Sequence, residues 1–224
     1  MAQSYINGYK AGFLETRTCE KERRITMHIL NEASIIKESS QGYYLIPLQD
    51  EMLEHREVEL VGEVDAASVN ALARQLRYLQ RQDPEASITL YINSPGGSVD
   101  SGMALYDVMQ AVSCPIRTVC VGLAASRAAL IFVSGAERDM LPHRRIMIHD
   151  PLIVRTGGNA LKLKAISDDL METRQIIAKI IADHSGKSMD EILAKTASDS
   201  YFRAEDAVEF GLADRIITSL AEGK

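Results

Sequence analysis

Residues 87–112 read SITLYINSPGGSVDSGMALYDVMQAV and join three local patterns in one stretch of chain. Apolar side chains at every second position, from Ile88 to Ile92, predict a strand over 87–93. The Ser-Pro-Gly-Gly tetrapeptide at 94–97 predicts a break, because proline and glycine interrupt regular elements. The residues after it predict a helix over about 98–112, so this stretch contains the strand, turn and helix of an α/β unit.

The same alternation of strand and helix patterns continues on both sides of this stretch. Further strands are predicted over 58–61, 116–121, 145–149 and 216–217, and further helices after Asp65 and Ser188 and over about 124–133, 160–184 and 204–210. The connections are long enough for parallel strand pairing, so the sequence predicts an α/β fold. Residues 1–54 mix charges with short apolar pieces, which predicts an arm of strands or hairpins outside a single domain over 55–224.

The composition excludes several classes of protein. Of the 224 residues, 46% are hydrophobic and 25% are charged, which is typical of a globular chain and not of a disordered or collagen-like one. The net charge of −6 gives nucleic-acid binding no overall electrostatic support. Three cysteines, Cys19, Cys114 and Cys120, are too few for a disulfide framework and fit a reducing cytosol. Because the sequence has neither a membrane-length apolar run nor a signal-peptide pattern, we expect a cytoplasmic protein that does not enter a membrane.

Gly186-Lys187-Ser188 resembles the end of a phosphate-binding loop, but the rest of that motif is missing. The earlier glycine that the motif requires falls at Ile181, and the preceding segment is predicted to be a helix rather than a strand. A glycine that ends the helix is the better interpretation, so we expect no ATP binding through this motif.

Ser126 is a candidate nucleophile. It lies in GLAASRAA, residues 122–129, just after a predicted strand, where helix N–H groups favour developing negative charge. The glycines of 94–97 follow another predicted strand and can direct backbone N–H groups at a ligand. Both features have a simpler interpretation. A serine at the start of a helix commonly caps that helix, and Ser-Pro-Gly-Gly alone is a common tight turn. The hydrolase motif GxSxG is absent, so that fold is not supported.

His149 and Asp199 are the candidate base and acid. His149 ends a predicted strand, a place where α/β sheets present functional side chains, although a lone histidine there is more often structural. Asp199 lies in a predicted loop, where a solvated turn aspartate is the simpler interpretation. No pair of histidines has metal-ligand spacing, so a zinc site is not expected. Together, the glycine loop, Ser126, His149 and Asp199 would supply oxyanion donor, nucleophile, general base and orienting acid if they converge.

Four segments carry a resemblance to a known family. YINSPGGSV at 91–99, GLAAS at 122–126, RIMIHDPL at 145–152 and AEDAVEFGLAD at 204–214 closely resemble the proteolytic subunit of the Clp protease, the ClpP family. The match spans about residues 55–218 in the same order and with suitable spacing. Four co-linear motifs are a far more specific signal than any one of them.

This resemblance implies a crotonase-like α/β fold with a protruding handle helix over about 160–184, and stacked seven-membered rings, fourteen subunits in all. It implies a serine endopeptidase that degrades unfolded polypeptides delivered by an AAA+ unfoldase of the ClpX, ClpA or ClpC type, with no cofactor and no metal. The family's nucleophile, base and acid fall on Ser126, His149 and Asp199, and its oxyanion-hole amides fall on Gly97 and Arg127. The arm over 1–54 would include a propeptide or an axial loop.

The chain departs from the family pattern at several positions near these residues. Arg127-Ala128 stands where the family usually has Met-Gly, so a long charged side chain could change the pocket for the residue before the cut or pair with a nearby carboxylate. Asp150 stands where the family often has glutamine, and as a neighbour of His149 along a strand it should face away from the imidazole. Ser198 replaces an arginine, which in the family contributes to contacts between rings. The glycines that usually follow His-x-Pro-Leu are displaced in 154–158.

Three functions remain open on the sequence. The first is an active serine peptidase subunit. The second is a weakly active or regulatory ring member that requires a paralogous subunit, which the departures at Arg127, Ala128 and Ser198 favour. The third is a crotonase-type acyl-CoA enzyme, which shares the fold and a pair of oxyanion amides but does not need Ser126, His149 and Asp199 together.

Overall fold

A computed structural model of the chain describes residues 33–39, 42–153 and 156–221. The first part of the expected arm, 1–32, lies outside these residues, as do Cys19 and positions 154 and 155 of the displaced glycine segment. The arm-and-domain division at residue 55 stays a prediction.

The described strands are β1 Ser34–Ser39, β2 Gly42–Pro47, β3 Glu57–Val64, β4 Ile88–Gly97, β5 Ile116–Ala125, β6 Glu137–Met140, β7 Arg145–Ile148, β8 Ser200–Arg203 and β9 Arg215–Ile216. The helices are α1 Leu48–Glu54, α2 Ala66–Gln82, α3 Val99–Ala111, α4 Arg127–Val133, α5 Ala160–Ser185, α6 Met189–Thr196 and α7 Ala204–Phe210.

A seven-stranded sheet forms the centre of the fold. Strands β3, β4, β5, β6 and β9 are neighbours in that order and all pair in parallel. The ten-residue β5 pairs with β6 along its first half and with β7 along its last residues, and β8 joins β7 antiparallel. The mixed α/β class with a mainly parallel sheet confirms the prediction from the strand and helix patterns. Strands β1 and β2 form a separate antiparallel hairpin.

Local signals place several helix ends where the sequence predicts them. The Asp65 side chain accepts a hydrogen bond from the Ser68 amide at 2.8 Å, and Ser68 Oγ accepts from the Asp65 amide at 3.0 Å, so a capping box begins α2. Gly186 ends α5 with φ 70°, a left-handed conformation that costs glycine little. This confirms the helix-end interpretation of Gly186-Lys187-Ser188.

The strand boundaries differ from the prediction at the edge that carries the site. β4 continues through the supposed break at 94–97, because Gly96 and Gly97 pair with Glu63 and Val64 of an extended β3. β5 likewise continues past its predicted end at 121 to Ala125, so α4 begins three residues later than predicted. Pairing with neighbouring strands overrides the local tendency of proline and glycine to interrupt a strand. Strands β6 and β8 and helix α1 were not predicted.

An ion-pair network centred on a buried carboxylate links three strands in the opposite part of the sheet. Asp139 in β6 is fully buried and accepts hydrogen bonds from Arg117 Nε in β5 and from Arg215 Nε in β9, each at 2.6 Å. Removing one member of such a network leaves buried charge without compensation. The network therefore fixes the pairing of three strands by charge as well as by backbone hydrogen bonds.

Helix α4 is the most deeply buried helix in the described part of the chain. All seven of its residues are buried, and it packs against β4, β5, α3 and α5. Six of the seven are apolar, as expected for a helix that is buried all round. The exception is Arg127, which is the first residue of α4 and directly follows Ser126.

Candidate functional site

The candidate residues follow strands that end at one edge of the sheet. Ser126 comes directly after β5, His149 comes directly after β7, and the glycine pair 96–97 ends β4. Because β4, β5 and β7 are parallel, their carboxyl ends lie at the same edge. The antiparallel pairing of Ile148 with Ser200 then places Asp199 beside His149.

Ser126 occupies a sharp turn between β5 and α4. Its φ of 55° makes it one of two non-glycine residues with positive φ in the described part of the chain, and such conformations cost on the order of 1–3 kcal/mol. The turn is fixed by the Ser126 amide, which donates to the Met147 carbonyl at 2.8 Å. The side chain makes no capping hydrogen bond, so the helix-capping alternative is wrong. Its Oγ instead lies 2.7 Å from His149 Nε2.

The burial of His149 favours the uncharged form of its imidazole. Burial lowers the pKa of His149 below its ordinary value, the Asp199 and Asp150 carboxylates raise it, and the Arg127 charge lowers it further. A neutral imidazole whose Nε2 faces a hydroxyl can accept the hydroxyl proton. The 2.7 Å contact is therefore short enough for a proton to pass from the Ser126 hydroxyl to the imidazole.

Asp199 lies near the imidazole without a close hydrogen bond to it. Its Oδ1 is 3.8 Å from His149 Nδ1, which is within the range of an ion pair but longer than a hydrogen bond. The side chain is 63% exposed, because Asp199 lies in the short turn between α6 and β8. The structure thus brings Ser126 and His149 into direct contact and places Asp199 at a looser distance.

Asp150 is held away from this row of groups. Its Oδ2 accepts a hydrogen bond from Arg174 Nε at 2.6 Å, and its backbone amide donates to the Thr196 carbonyl at 2.7 Å. The carboxylate therefore points toward α5, as expected for a strand neighbour of His149. Arg174 also donates to the Leu193 carbonyl at 3.2 Å, so one arginine joins α5, α6 and the segment after β7.

The glycines that end β4 allow it to approach the turn at Ser126. A Cβ at Gly96, where φ is 90°, would lie 2.6 Å from the Ala125 carbonyl oxygen and 2.7 Å from Ser126 Cβ. The Gly96 amide donates to Ser94 Oγ at 3.1 Å. A Cβ at Gly97 would collide instead with the backbone of Val64 in β3. The close approach to the serine is thus made by Gly96, while Gly97 remains the predicted oxyanion donor.

Arg127 is the residue at this site whose placement the sequence did not predict. Its side chain is only 2% exposed and packs against α3 at Gly102, where a Cβ would lie 3.0–3.1 Å from Arg127 Cβ, Cγ and Cδ. Burial lowers the pKa of Arg127 to about 10. The expected alternative of a nearby carboxylate partner is not met among the described residues.

Over the described ranges, no group of three or more metal-ligating side chains is placed to hold an ion. None of the helices described above combines the length and the apolar composition that crossing a bilayer requires.

Comparison with known proteins adds one finding. The model of the Clp protease family matches residues 40–220, a range that contains every site residue discussed above.

Proposed function

The chain belongs to the Clp protease family, and on that premise we propose that it is a serine endopeptidase subunit with Ser126 as nucleophile and His149 as general base. Membership of the family implies serine peptidase activity in general. The observation that carries the assignment to these residues is the 2.7 Å contact between Ser126 Oγ and His149 Nε2 at a strained turn.

In the first half of the proposed reaction, Ser126 Oγ attacks the carbonyl carbon of the scissile peptide bond while His149 Nε2 takes its proton. The carbonyl oxygen becomes an oxyanion that the amides of Gly97 and Arg127 stabilise, each contributing about 3–4 kcal/mol. His149 then gives the proton to the leaving nitrogen, the C–N bond breaks, and an ester to Ser126 remains.

In the second half, water attacks the ester carbon and His149 takes a proton from that water. The ester bond breaks, and the proton returns from the imidazole to Ser126 Oγ. Asp199 orients the imidazole and stabilises its charged form in both halves, although its 3.8 Å separation and its exposure weaken this contribution.

We propose further that the subunits stack as heptameric rings, with or without a paralogous subunit, and that an AAA+ unfoldase in the cytoplasm delivers unfolded chains to them. Assembly through the predicted handle helix is supported by exposed apolar side chains on α5, namely Leu161, Leu163, Met171 and Ile176. An external source of ATP-driven unfolding is consistent with the incomplete phosphate-binding motif at Gly186-Lys187-Ser188.

Active-site labelling tests the proposal. Wild-type protein should react with a fluorophosphonate at Ser126 and cleave an unstructured fluorogenic peptide, while Ser126→Ala and His149→Ala should each lose cleavage by at least about 10³-fold. Ser113→Ala is the matched control, because Ser113 is exposed and its Oγ donates to the Pro84 carbonyl, outside the site. Full peptidase activity in Ser126→Ala would refute the assignment.

A regulatory ring subunit that requires a paralogue is the second candidate. The loose Asp199 contact and the unusual Arg127 favour it. Peptidase rates and size-exclusion profiles of the purified chain, with and without a paralogous subunit, separate the two candidates. High activity of the chain as a homo-oligomer excludes the second. An acyl-CoA enzyme is disfavoured by the contact of Ser126 with His149, which such chemistry does not need.

A further inference from the structure

The Arg127 guanidinium is buried beside the proposed nucleophile without a counter-charge. Its side chain is 2% exposed. None of the side-chain hydrogen bonds and ion pairs of the described ranges involves it. A buried cation normally requires a partner, since desolvation of a charge costs several kcal/mol. The burial lowers the pKa of Arg127 only to about 10, so the side chain stays charged at neutral pH.

Other arginines of this chain show what a compensated environment looks like. Arg117 is 6% exposed and donates to Asp139 at 2.6 Å, and Arg174 donates to Asp150 at 2.6 Å. The fold thus supplies a carboxylate to the buried Arg117 and to the partly buried Arg174. For Arg127 it supplies none among the described residues, which leaves an unmet requirement for an anion at the site.

The location of this charge is fixed by packing. Gly102 of α3 makes room for the Arg127 side chain, since a Cβ there would come within 3.0–3.1 Å of three of its carbons. The charge lies near enough to His149 to lower the pKa of the imidazole. The side chain directly follows the proposed nucleophile in the chain and is enclosed against α3 rather than directed into bulk solvent.

We propose that Arg127 selects an acidic side chain, aspartate or glutamate, at the substrate residue that precedes the scissile bond. This inference rests on the proposed function. In the acyl-enzyme, the carbonyl carbon bonded to Ser126 Oγ belongs to that substrate residue, so its side chain branches one bond from that carbon, next to the serine that Arg127 directly follows. A carboxylate there matches the planar guanidinium with two charge-assisted hydrogen bonds and supplies the missing counter-charge.

The preference for an acidic residue arises because other substrate side chains would leave the Arg127 charge without a partner. Leucine or glutamine before the cut buries the same cation further without neutralising it, and lysine adds a like charge. A charged hydrogen bond lost in a buried site changes an equilibrium by about 10- to 150-fold. We therefore expect kcat/KM for glutamate to exceed that for leucine or glutamine by about 10- to 100-fold.

Peptides that differ only at this residue test the proposal with the full-length chain. The wild type should follow the order glutamate, glutamine, leucine, lysine. Arg127→Met should lower the ratio of kcat/KM for glutamate over leucine by about 10- to 100-fold, and Arg127→Lys should retain part of the preference. Arg77→Met, at an exposed position of α2, is the control and should leave the ratio unchanged.

Peptidyl phosphonates with the same residues provide a second readout, because they report acylation of Ser126 without deacylation. Faster labelling of the wild type by the glutamyl than by the leucyl phosphonate supports the proposal. Equal or inverted rates with normal fluorophosphonate labelling overturn it and leave the peptidase assignment intact. Loss of labelling by every probe refutes the peptidase assignment itself.

Discussion

Replacement of Asp199 with asparagine tests how far the proposed triad depends on this carboxylate. Asp199 Oδ1 lies 3.8 Å from His149 Nδ1, and the side chain is 63% exposed. Two unit charges at that separation interact by about 1 kcal/mol in bulk water and by about 4 kcal/mol at an effective dielectric constant of 20. Because the carboxylate is mostly in water, the smaller value is the better guide. We expect Asp199→Asn to lose about 1–2 kcal/mol of transition-state stabilisation.

This energy corresponds to a decrease in kcat/KM of about 5- to 30-fold, far below the ~10⁴-fold decrease in kcat that follows loss of a buried triad aspartate. The direction in which the pH profile of kcat/KM should shift is also defined. Asp199 raises the pKa of His149, and the imidazole must be neutral to act as a base, so Asp199→Asn should lower this pKa and shift the acid limb to lower pH.

Initial rates on one fluorogenic peptide, measured across pH, provide both quantities. Asp190→Asn is the matched control, because Asp190 is an exposed carboxylate in the first turn of α6 and has no contact with the imidazole. A decrease near 10⁴-fold would refute the reasoning, since it would require a closely bonded carboxylate in the working enzyme. A shift of the acid limb to higher pH would refute the electrostatic sign.

Three further predictions use the same rates and equilibrium unfolding. Arg127→Met removes a charge that lowers the pKa of His149, so the acid limb of kcat/KM should move to higher pH; an unmoved limb contradicts this. Gly96→Ala places a Cβ 2.6 Å from the Ala125 carbonyl oxygen and should lower peptidase activity by about 10²-fold. Gly62→Ala is the control, because φ there is 81° but no atom lies within 4 Å of the added Cβ, and it should retain activity. Equal effects of the two variants contradict this prediction. Asp139→Asn leaves two arginines without their buried carboxylate and should lower the free energy of unfolding by about 3 kcal/mol in urea titrations; a change under about 1 kcal/mol contradicts this.

The order and type of most elements could be predicted because their signals are local. The alternation from Ile88 to Ile92, the cap at Asp65 and the glycine end at Gly186 each depend on residues within one or two turns. The short strand β6, Glu137–Met140, could not be found in this way, because three of its four residues are charged. It is a strand since it pairs with β5 and places Asp139 between two arginines.

At the site, the residue types could be predicted but their contacts could not. Ser126, His149 and Asp199 were selected from their positions after predicted strands or in loops and from the family resemblance. Distances between groups so far apart in sequence depend on the twist of the sheet and on the pairing of β7 with β8, which no local pattern encodes. The distance from Ser126 Oγ to His149 Nε2 is 2.7 Å, whereas the distance from His149 Nδ1 to Asp199 Oδ1 is 3.8 Å. This difference follows from how the strands that carry these residues pair with one another.

By itself, then, the amino-acid sequence determined the α/β class, the family motifs and the identity of the groups that could react, because these depend on residue type and on short spacings. Only the tertiary structure decided that the Ser126 hydroxyl faces an imidazole instead of capping α4, and that the Arg127 charge is enclosed rather than solvated. The physical reason is that burial and desolvation are set by what other segments bring against a residue. Whether a side chain is charged can be read from the chain, but whether that charge has a partner depends on the fold.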